Sequence, residues 1–150
     1  GRALFHGMSV RHNLELGRLK RRTGAGRHWT EEEVLTLFPR LKERLDTPAD
    51  LLSGGEQQMV AVARALIGDT SVLLLDEPFE GLSPAVTEEL FDVFDRLRRD
   101  ISIVIVDHNL DLVLNLADRA TVLERGSVVH EGPARPLAHD FELRRKILWL

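Results

Sequence analysis

The sequence Val72-Leu73-Leu74-Leu75-Asp76-Glu77-Pro78 places four aliphatic residues directly before two carboxylates and a proline. A short aliphatic run of this kind is typical of a buried strand in a parallel sheet. Ligands of parallel α/β sheets bind at the carboxyl ends of the strands, where Asp76 and Glu77 stand. Asp76 offers the oxygen ligand that Mg²⁺ prefers, and Glu77 could polarise or deprotonate an attacking water. A strand that ends in a solvated acidic turn would have the same sequence, so both interpretations stay open.

A second strand of the same type is predicted at Ser102–Val106, followed by Asp107-His108-Asn109. Helical spacing of apolar residues fills the segment between the strands, over 86–97, and returns over 110–117. Strands that alternate with helices predict an α/β layer. His108 could then lie at the same sheet edge as Glu77, although a single histidine after a strand is more often an ordinary surface residue.

Helices are predicted upstream of these strands. Thr30-Glu31-Glu32-Glu33 forms a capping box, and Val34, Leu37, Phe38 and Leu41 continue with the spacing of one amphipathic helix. Leu52-Ser53-Gly54-Gly55-Glu56-Gln57-Gln58 opens a second helix that runs to about Ile67. The free N–H groups and the dipole of its first turn suit a phosphate, because no large side chain blocks the approach. Helix capping by Ser53 and Glu56 explains the same residues without a ligand.

The end of the chain predicts a hairpin and short helices. Ala120–Glu124 and Ser127–Glu131 flank Arg125-Gly126, which is typical of a two-residue β-hairpin. One or two short helices follow. Their candidate packing residues are Phe141, Ile147, Leu148 and Leu150.

Composition excludes several classes of protein. The 150 residues are 43% hydrophobic and 29% charged, with no cysteine, which rules out disulfides and thiol nucleophiles. No apolar run reaches the length of a membrane span. The histidines lack metal-site spacing, and no G-x-S-x-G hydrolase motif occurs.

Charge is concentrated at the beginning of the chain. Residues 1–30 have a net charge of +6 although the whole chain has −4. A basic segment of this kind could meet phosphates, a nucleic acid or a membrane surface, but a solvated, flexible surface segment is the favoured interpretation. Gly24-Ala25-Gly26 within it predicts a loop.

Taken in order, these motifs resemble the ATP-binding-cassette (ABC) ATPase family from Leu52 to His108. The resemblance covers the signature motif, the Walker B strand with its following glutamate, the D-loop region and the switch histidine. Met8–Leu14 and Val122–Gly132 resemble flanking segments of the family. Three further stretches resemble the ATPase subunits of branched-chain amino-acid importers and their urea or amide relatives: 5–10, 37–41 and 81–84.

The resemblance implies an α/β fold, as a partial P-loop NTPase domain with a helical subdomain at residues 1–70 and the C-terminal part of the catalytic core at 71–150. It implies that Glu77 is the catalytic base or orients the water and that His108 contacts the γ-phosphate. It also implies that Asp76 holds Mg²⁺, directly or through water. The signature would bind the ATP held by an opposing subunit, and the D-loop would link the two sites. The signature residues are Ser53, Gly54, Gly55 and Glu56, and the D-loop residues are Gly81, Leu82 and Ser83.

The sequence departs from the family pattern in several places. Glu56 stands where many members have glutamine, and Ser83 where many have aspartate. The larger departure is the phosphate-binding G-x-x-x-x-G-K-[ST], since no Gly-Lys dipeptide occurs here. The glutamine-loop residue and the adenine-stacking aromatic are not found either. We therefore expect that something precedes Gly1, that the isolated 150 residues neither bind nor hydrolyse ATP, and that an incomplete core exposes apolar surface and promotes association.

The resemblance also implies partners and a location. A second ABC ATPase subunit, identical or different, and transmembrane permease subunits would bind directly, and a solute-binding protein would act indirectly. ATP and Mg²⁺ would be the cofactors, and the cytoplasmic face of the cell membrane would be the location, with no nucleic acid expected. Two alternatives stay open: a non-transport ABC protein, and a truncated fragment without catalysis.

Overall fold

The structure is a computed structural model that describes residues 4–5, 7–19 and 27–148. Contacts divide the chain into a first unit, Gly1–Val106, and a second unit, Asp107–Leu150. The boundary predicted at residue 70 concerns subdomains of an ABC ATPase and stays a prediction.

The first unit contains both helices and short strands. The helices are α1 (Val10–Arg18), α2 (Glu31–Leu37), α3 (Pro39–Lys42), α4 (Gly54–Leu66) and α5 (Pro84–Leu97), with a 3₁₀ turn at Ala49–Leu51. The strands are β1 (Arg27–Trp29), β2 (Gly68–Thr70), β3 (Val72–Asp76) and β4 (Ser102–Val106).

Strands β3 and β4 pair in parallel, as predicted, with Leu74 opposite Val104 and Asp76 opposite Val106. Strands β1 and β2 form a short antiparallel pair that the sequence did not predict. Each has three residues, too few to show an alternation of polar and apolar positions.

The prediction of fully buried strands is right for only one face of β3, and the corresponding face of β4 is half-buried. Leu73 and Leu75 are buried, whereas Leu74 and Val106 are 74% and 62% exposed. Parallel strands bury both faces only where other layers cover both. No described residue covers the second face, so its aliphatic side chains meet solvent.

The helix predicted through Leu41 is instead two helices. The backbone of Phe38 leaves the helical region, with φ −124° and ψ 71°, and Pro39 starts α3. The ring of Pro39 disfavours helical geometry at Phe38, which explains the break. The capping box predicted at Thr30 and Glu33 is confirmed.

Helix α1 corrects part of the flexible-surface interpretation of residues 1–30. Val10, Asn13, Leu14 and Gly17 of this helix are buried. A Cβ atom at Gly17 would lie 2.6 Å from the carbonyl oxygen of Arg64, so the two helix backbones approach closely here. The loop predicted at 24–26 lies outside the described residues.

The second unit contains α6 (Leu110–Leu116), β5 (Arg119–Glu124), β6 (Ser127–Pro133), α7 (Ala134–His139) and α8 (Phe141–Leu148). The predicted hairpin is confirmed, and its turn residues Arg125 and Gly126 both have positive φ, which matches the twist of paired strands.

A small apolar cluster of Leu114, Ala134 and Leu137 forms the core of the second unit. Ile147 packs against it as predicted. Phe141 does not pack in a core, since it is 65% exposed. The side chain of Leu148 and all of Leu150 lie outside the described residues. Within the described ranges, no helix is both long and apolar enough to cross a membrane.

Candidate functional site

The signature segment folds as a capped helix N-terminus. Ser53 is the N-cap of α4, and its Oγ accepts a hydrogen bond from the N–H of Glu56 at 3.3 Å. The Glu56 carboxylate accepts in return from the N–H of Ser53 at 2.9 Å and from its Oγ–H at 2.7 Å. The capping interpretation is therefore confirmed, and Ser53 is nonetheless exposed.

The Glu56 carboxylate is the charged centre of this cap. Its second oxygen lies 3.4 Å from Nε of Arg44, a residue just beyond α3. Hydrogen bonding by Ser53 lowers the pKa of Glu56, and Arg44 contributes in the same direction. Glu56 is thus an anion at neutral pH, and its side chain is only 17% exposed.

Gly55 joins the signature helix to α5. A Cβ atom at Gly55 would lie 2.8 Å from Cγ1 of Val86 and 3.0 Å from Cγ2. Val86 is in the first turn of α5, three residues after Ser83. The second glycine of the signature is therefore required by packing, whether or not a phosphate binds there.

Asp76 and Glu77 lie at the carboxyl end of β3, as the sequence predicts, and both are exposed. Glu77 has φ +48°, a left-handed conformation that is uncommon for a residue with a side chain. Its N–H donates to the carbonyl of Val106, the last residue of β4, at 2.7 Å. Such conformations cost about 1–3 kcal/mol and cluster at active sites.

The loop after Glu77 is anchored by an aromatic residue. Phe79 is buried, and its ring meets Phe94 of α5 edge to face with centroids 5.7 Å apart. Gly81 then turns the chain with φ +65°, and Ser83 is the N-cap of α5. The predicted D-loop residues, Gly81 to Ser83, therefore lie between an anchored loop and a helix start.

His108 belongs to the second unit, two residues after β4 ends. Its side chain is 68% exposed, and Nδ1 lies 3.9 Å from Oδ1 of Asp107. The Asp107 side chain is only 1% exposed and accepts the N–H of Asn109 at 2.8 Å. The approach of His108 to Glu77 stays a prediction.

Asp76 could be the single protein ligand of a magnesium ion whose other ligands are phosphate oxygens and water. Groups of three or more His, Asp or Glu side chains that could hold a metal do not occur among the described residues. Mg²⁺ in nucleotide sites takes one or two carboxylates and draws its other ligands from phosphates and water. One exposed carboxylate at a strand end is consistent with that ligand set.

Four residues of the site were missed by sequence reasoning: Arg44, Phe79, Val86 and Asp107. Only Phe79 carried a usable signal, an aromatic residue between a carboxylate pair and a glycine. The other three act through contacts distant in sequence or through side-chain burial, which a local pattern does not show.

Comparison with known proteins agrees with these motifs. Residues 2–80 match the protein family described as ABC transporter. The high-affinity branched-chain amino acid transport ATP-binding protein BraG of Pseudomonas aeruginosa is 43% identical over 131 residues, 86% of this chain and 55% of BraG. The molybdenum import ATP-binding protein ModC of Paramagnetospirillum magneticum is 39% identical over 143 residues, 94% of this chain and 39% of ModC.

A solved structure shows the same fold. It is a dimeric ATP-binding cassette in a post-hydrolysis state, bound to ADP and Pi, with a TM-score of 0.73 and 26% identity. The match covers 89% of this chain and 60% of the solved one. The chain spans about half the length of BraG, at 55%. The fold is therefore α/β, part of a P-loop NTPase domain, and the chain belongs to the ABC transporter ATPase family.

Proposed function

We propose that this chain is the part of an ATP-hydrolysing subunit that carries the signature, the Walker B carboxylates and the switch histidine of an ABC importer. The observation that carries the proposal is the carboxylate pair at the end of β3. Glu77 adopts φ +48° there, held by its hydrogen bond to Val106. Backbone conformations of this cost persist where the surrounding structure holds them, and they cluster at active sites.

Each site residue has a chemical task in this proposal. Asp76 supplies the carboxylate toward Mg²⁺, and the metal neutralises charge on the phosphates when bound. Glu77 orients the attacking water or accepts its proton, and His108 donates to the γ-phosphate. Ser53 and the N–H groups of the α4 first turn bind the γ-phosphate of ATP held by the other subunit. The D-loop, at 81–83, links the two sites.

Branched-chain amino acids are the proposed cargo of the importer. The similarity to BraG, 43% identity over 86% of the chain, supports this choice. ModC, a molybdenum import protein, is 39% identical over 94% of the chain, so the ATPase sequence alone separates these cargoes weakly. Transport of leucine by membrane vesicles that contain the complete importer would test the choice, with molybdate as the alternative cargo.

The proposal includes partners and a location. A second ATPase subunit completes each nucleotide site, and the dimeric form of the solved cassette supports this. Transmembrane permease subunits would hold the dimer at the cytoplasmic face of the membrane, and a solute-binding protein would act through them. We propose residues 1–70 as the helical subdomain and 71–150 as part of the catalytic core.

The test is ATP turnover by the full-length protein carrying Glu77→Gln. Removal of a general base typically costs about 10²–10⁴-fold in rate, so turnover should fall at least 100-fold. The matched control is Glu88→Gln, an exposed carboxylate on α5 that should leave turnover unchanged. Equal turnover by the Glu77→Gln protein and the unsubstituted protein would contradict the proposal.

A further inference from the structure

Ser53 has one hydroxyl proton, and the structure shows where it goes. Oγ–H donates to the Glu56 carboxylate at 2.7 Å, a charge-assisted hydrogen bond. A hydroxyl has a single proton to donate, and phosphate oxygens accept hydrogen bonds. Ser53 therefore cannot donate to a phosphate and to Glu56 at the same time.

Glu56 also places a negative charge beside Ser53, the residue proposed to bind the phosphate. Hydrogen bonding by Ser53 keeps the pKa of Glu56 low, so that this charge persists at neutral pH. Arg44, at 3.4 Å, offsets part of the charge and holds the second carboxylate oxygen in place. Ser53, Glu56 and Arg44 together form a cluster that we call the signature triad.

We propose that Glu56 and Arg44 are positioning residues that set the affinity of Ser53 for the γ-phosphate. The Glu56 carboxylate competes with the phosphate for the Ser53 proton and repels it, and Arg44 weakens both effects. ATP must therefore displace the Ser53–Glu56 hydrogen bond when two subunits close. This inference rests on the proposed use of the signature in trans.

A second capping box in the chain shows what capping alone looks like. Thr30 Oγ1 donates to Glu33 at 3.0 Å, and Arg27 binds the other carboxylate oxygen at 3.0 Å. The hydroxyl, carboxylate and guanidinium are the same three groups as in the signature triad, although Arg27 also pairs with Asp100 and Glu33 is more exposed than Glu56. This box starts α2 and not the signature helix. It is an internal control for effects of capping on stability.

The experiment follows dimerisation of the full-length protein by light scattering while a non-hydrolysable ATP analogue is added with Mg²⁺. The measured quantity is the concentration of analogue that produces half of the maximal dimerisation. Glu56→Gln keeps a capping side chain but removes the charge. It should lower the half-saturating concentration about fivefold, since a neutral acceptor binds the Ser53 proton about half as strongly. Arg44→Gln should raise the half-saturating concentration about threefold, which corresponds to the free energy of an exposed ion pair.

Two further variants separate this proposal from a structural role. The effect of Arg44→Gln should disappear in a Glu56→Gln background, because Arg44 acts through that carboxylate. Glu33→Gln should leave the half-saturating concentration unchanged. A purely structural role would shift Glu56→Gln and Arg44→Gln in the same direction, along with their melting temperatures.

The outcomes also distinguish this inference from the proposed function. If Ser53→Ala prevents dimerisation and Glu56→Gln leaves it unchanged or weakens it, the proposed function stands and this inference is wrong. If the analogue causes no dimerisation of the unsubstituted protein, both are wrong. Should Glu56→Gln fail to fold, an Arg44→Gln protein that dimerises like the unsubstituted one overturns the inference.

Discussion

At the scale of single residues, packing leaves no room for a side chain at Gly55. Gly55→Ala would place a Cβ atom 2.8 Å from a methyl group of Val86. Overpacking of this kind costs about 1–3 kcal/mol of unfolding free energy, measurable by urea denaturation. Val86→Ala removes the obstructing methyl groups, so most of the cost should disappear in the double variant. If Gly55→Ala lowered the unfolding free energy equally with and without Val86→Ala, the contact would not explain the cost.

The lowered pKa of Glu33 predicts how the stability of the protein changes at acidic pH. Hydrogen bonds from the Thr30 backbone, Arg27 and the Thr30 hydroxyl lower its pKa from 4.5 to about 2. A folded-state pKa below the unfolded one stabilises the protein above pH 4.5, and this stabilisation is lost as the pH falls toward 2. The melting temperature of Glu33→Gln should therefore depend less on pH over this range. If the melting temperatures of Glu33→Gln and of the unsubstituted protein changed equally with pH, the prediction would be contradicted.

Residue-scale reasoning from sequence succeeded where the chemistry is local. The capping boxes at Thr30 and Ser53 each involve residues three apart, and both are present. Arg44 binds a glutamate twelve positions away, and no local pattern places that pair together. The left-handed backbone of Glu77 also escaped prediction, because it depends on a hydrogen bond to the end of another strand.

At the scale of elements, β3 has one buried and one exposed face, and β4 has one half-buried and one exposed face. Leu75 is 8% exposed and Leu74 is 74% exposed, although the two are neighbours in sequence. An exposed aliphatic face of a sheet promotes association. The 150-residue chain should therefore self-associate.

Lysine substitutions on the two faces should have opposite consequences. Leu74→Lys should reduce light scattering and change the unfolding free energy by less than about 0.5 kcal/mol, because the site is already solvated. Leu75→Lys should prevent stable folding, since it buries an unpaired charge. A chain that is monomeric without substitution, or a stable Leu75→Lys protein, would contradict this account of the sheet.

Element prediction failed where neighbours decide the outcome. The aliphatic strands were identified correctly, but their burial depends on which layers cover them, and sequence periodicity does not contain that information. The Phe38–Pro39 break was visible as a proline, yet the apolar spacing continued through it. Helix α1 was missed within a basic segment because its buried face holds a polar residue, Asn13, that hydrogen-bonds to the backbone of Phe5 and Ser9.

At the scale of the whole molecule, two subunits share each nucleotide site in the proposed function. Ser53 opens the signature helix, and Glu77 directly follows a strand of the same unit. Under the proposed function, Ser53 of one subunit serves ATP that faces Glu77 of the other. Neither Ser53→Ala nor Glu77→Gln homodimers then contain an intact site, whereas a mixed dimer contains one.

The most direct measurement is ATP turnover in an equal mixture of full-length Ser53→Ala and Glu77→Gln proteins. Because half the dimers are mixed and each has one intact site of two, turnover should recover to about a quarter of the unsubstituted rate. Thr30→Ala, which removes the equivalent cap from α2, controls for lost helix capping and should retain full turnover. No recovery in the mixture, while each protein stays folded and inactive alone, would contradict the central claim that the signature acts in trans.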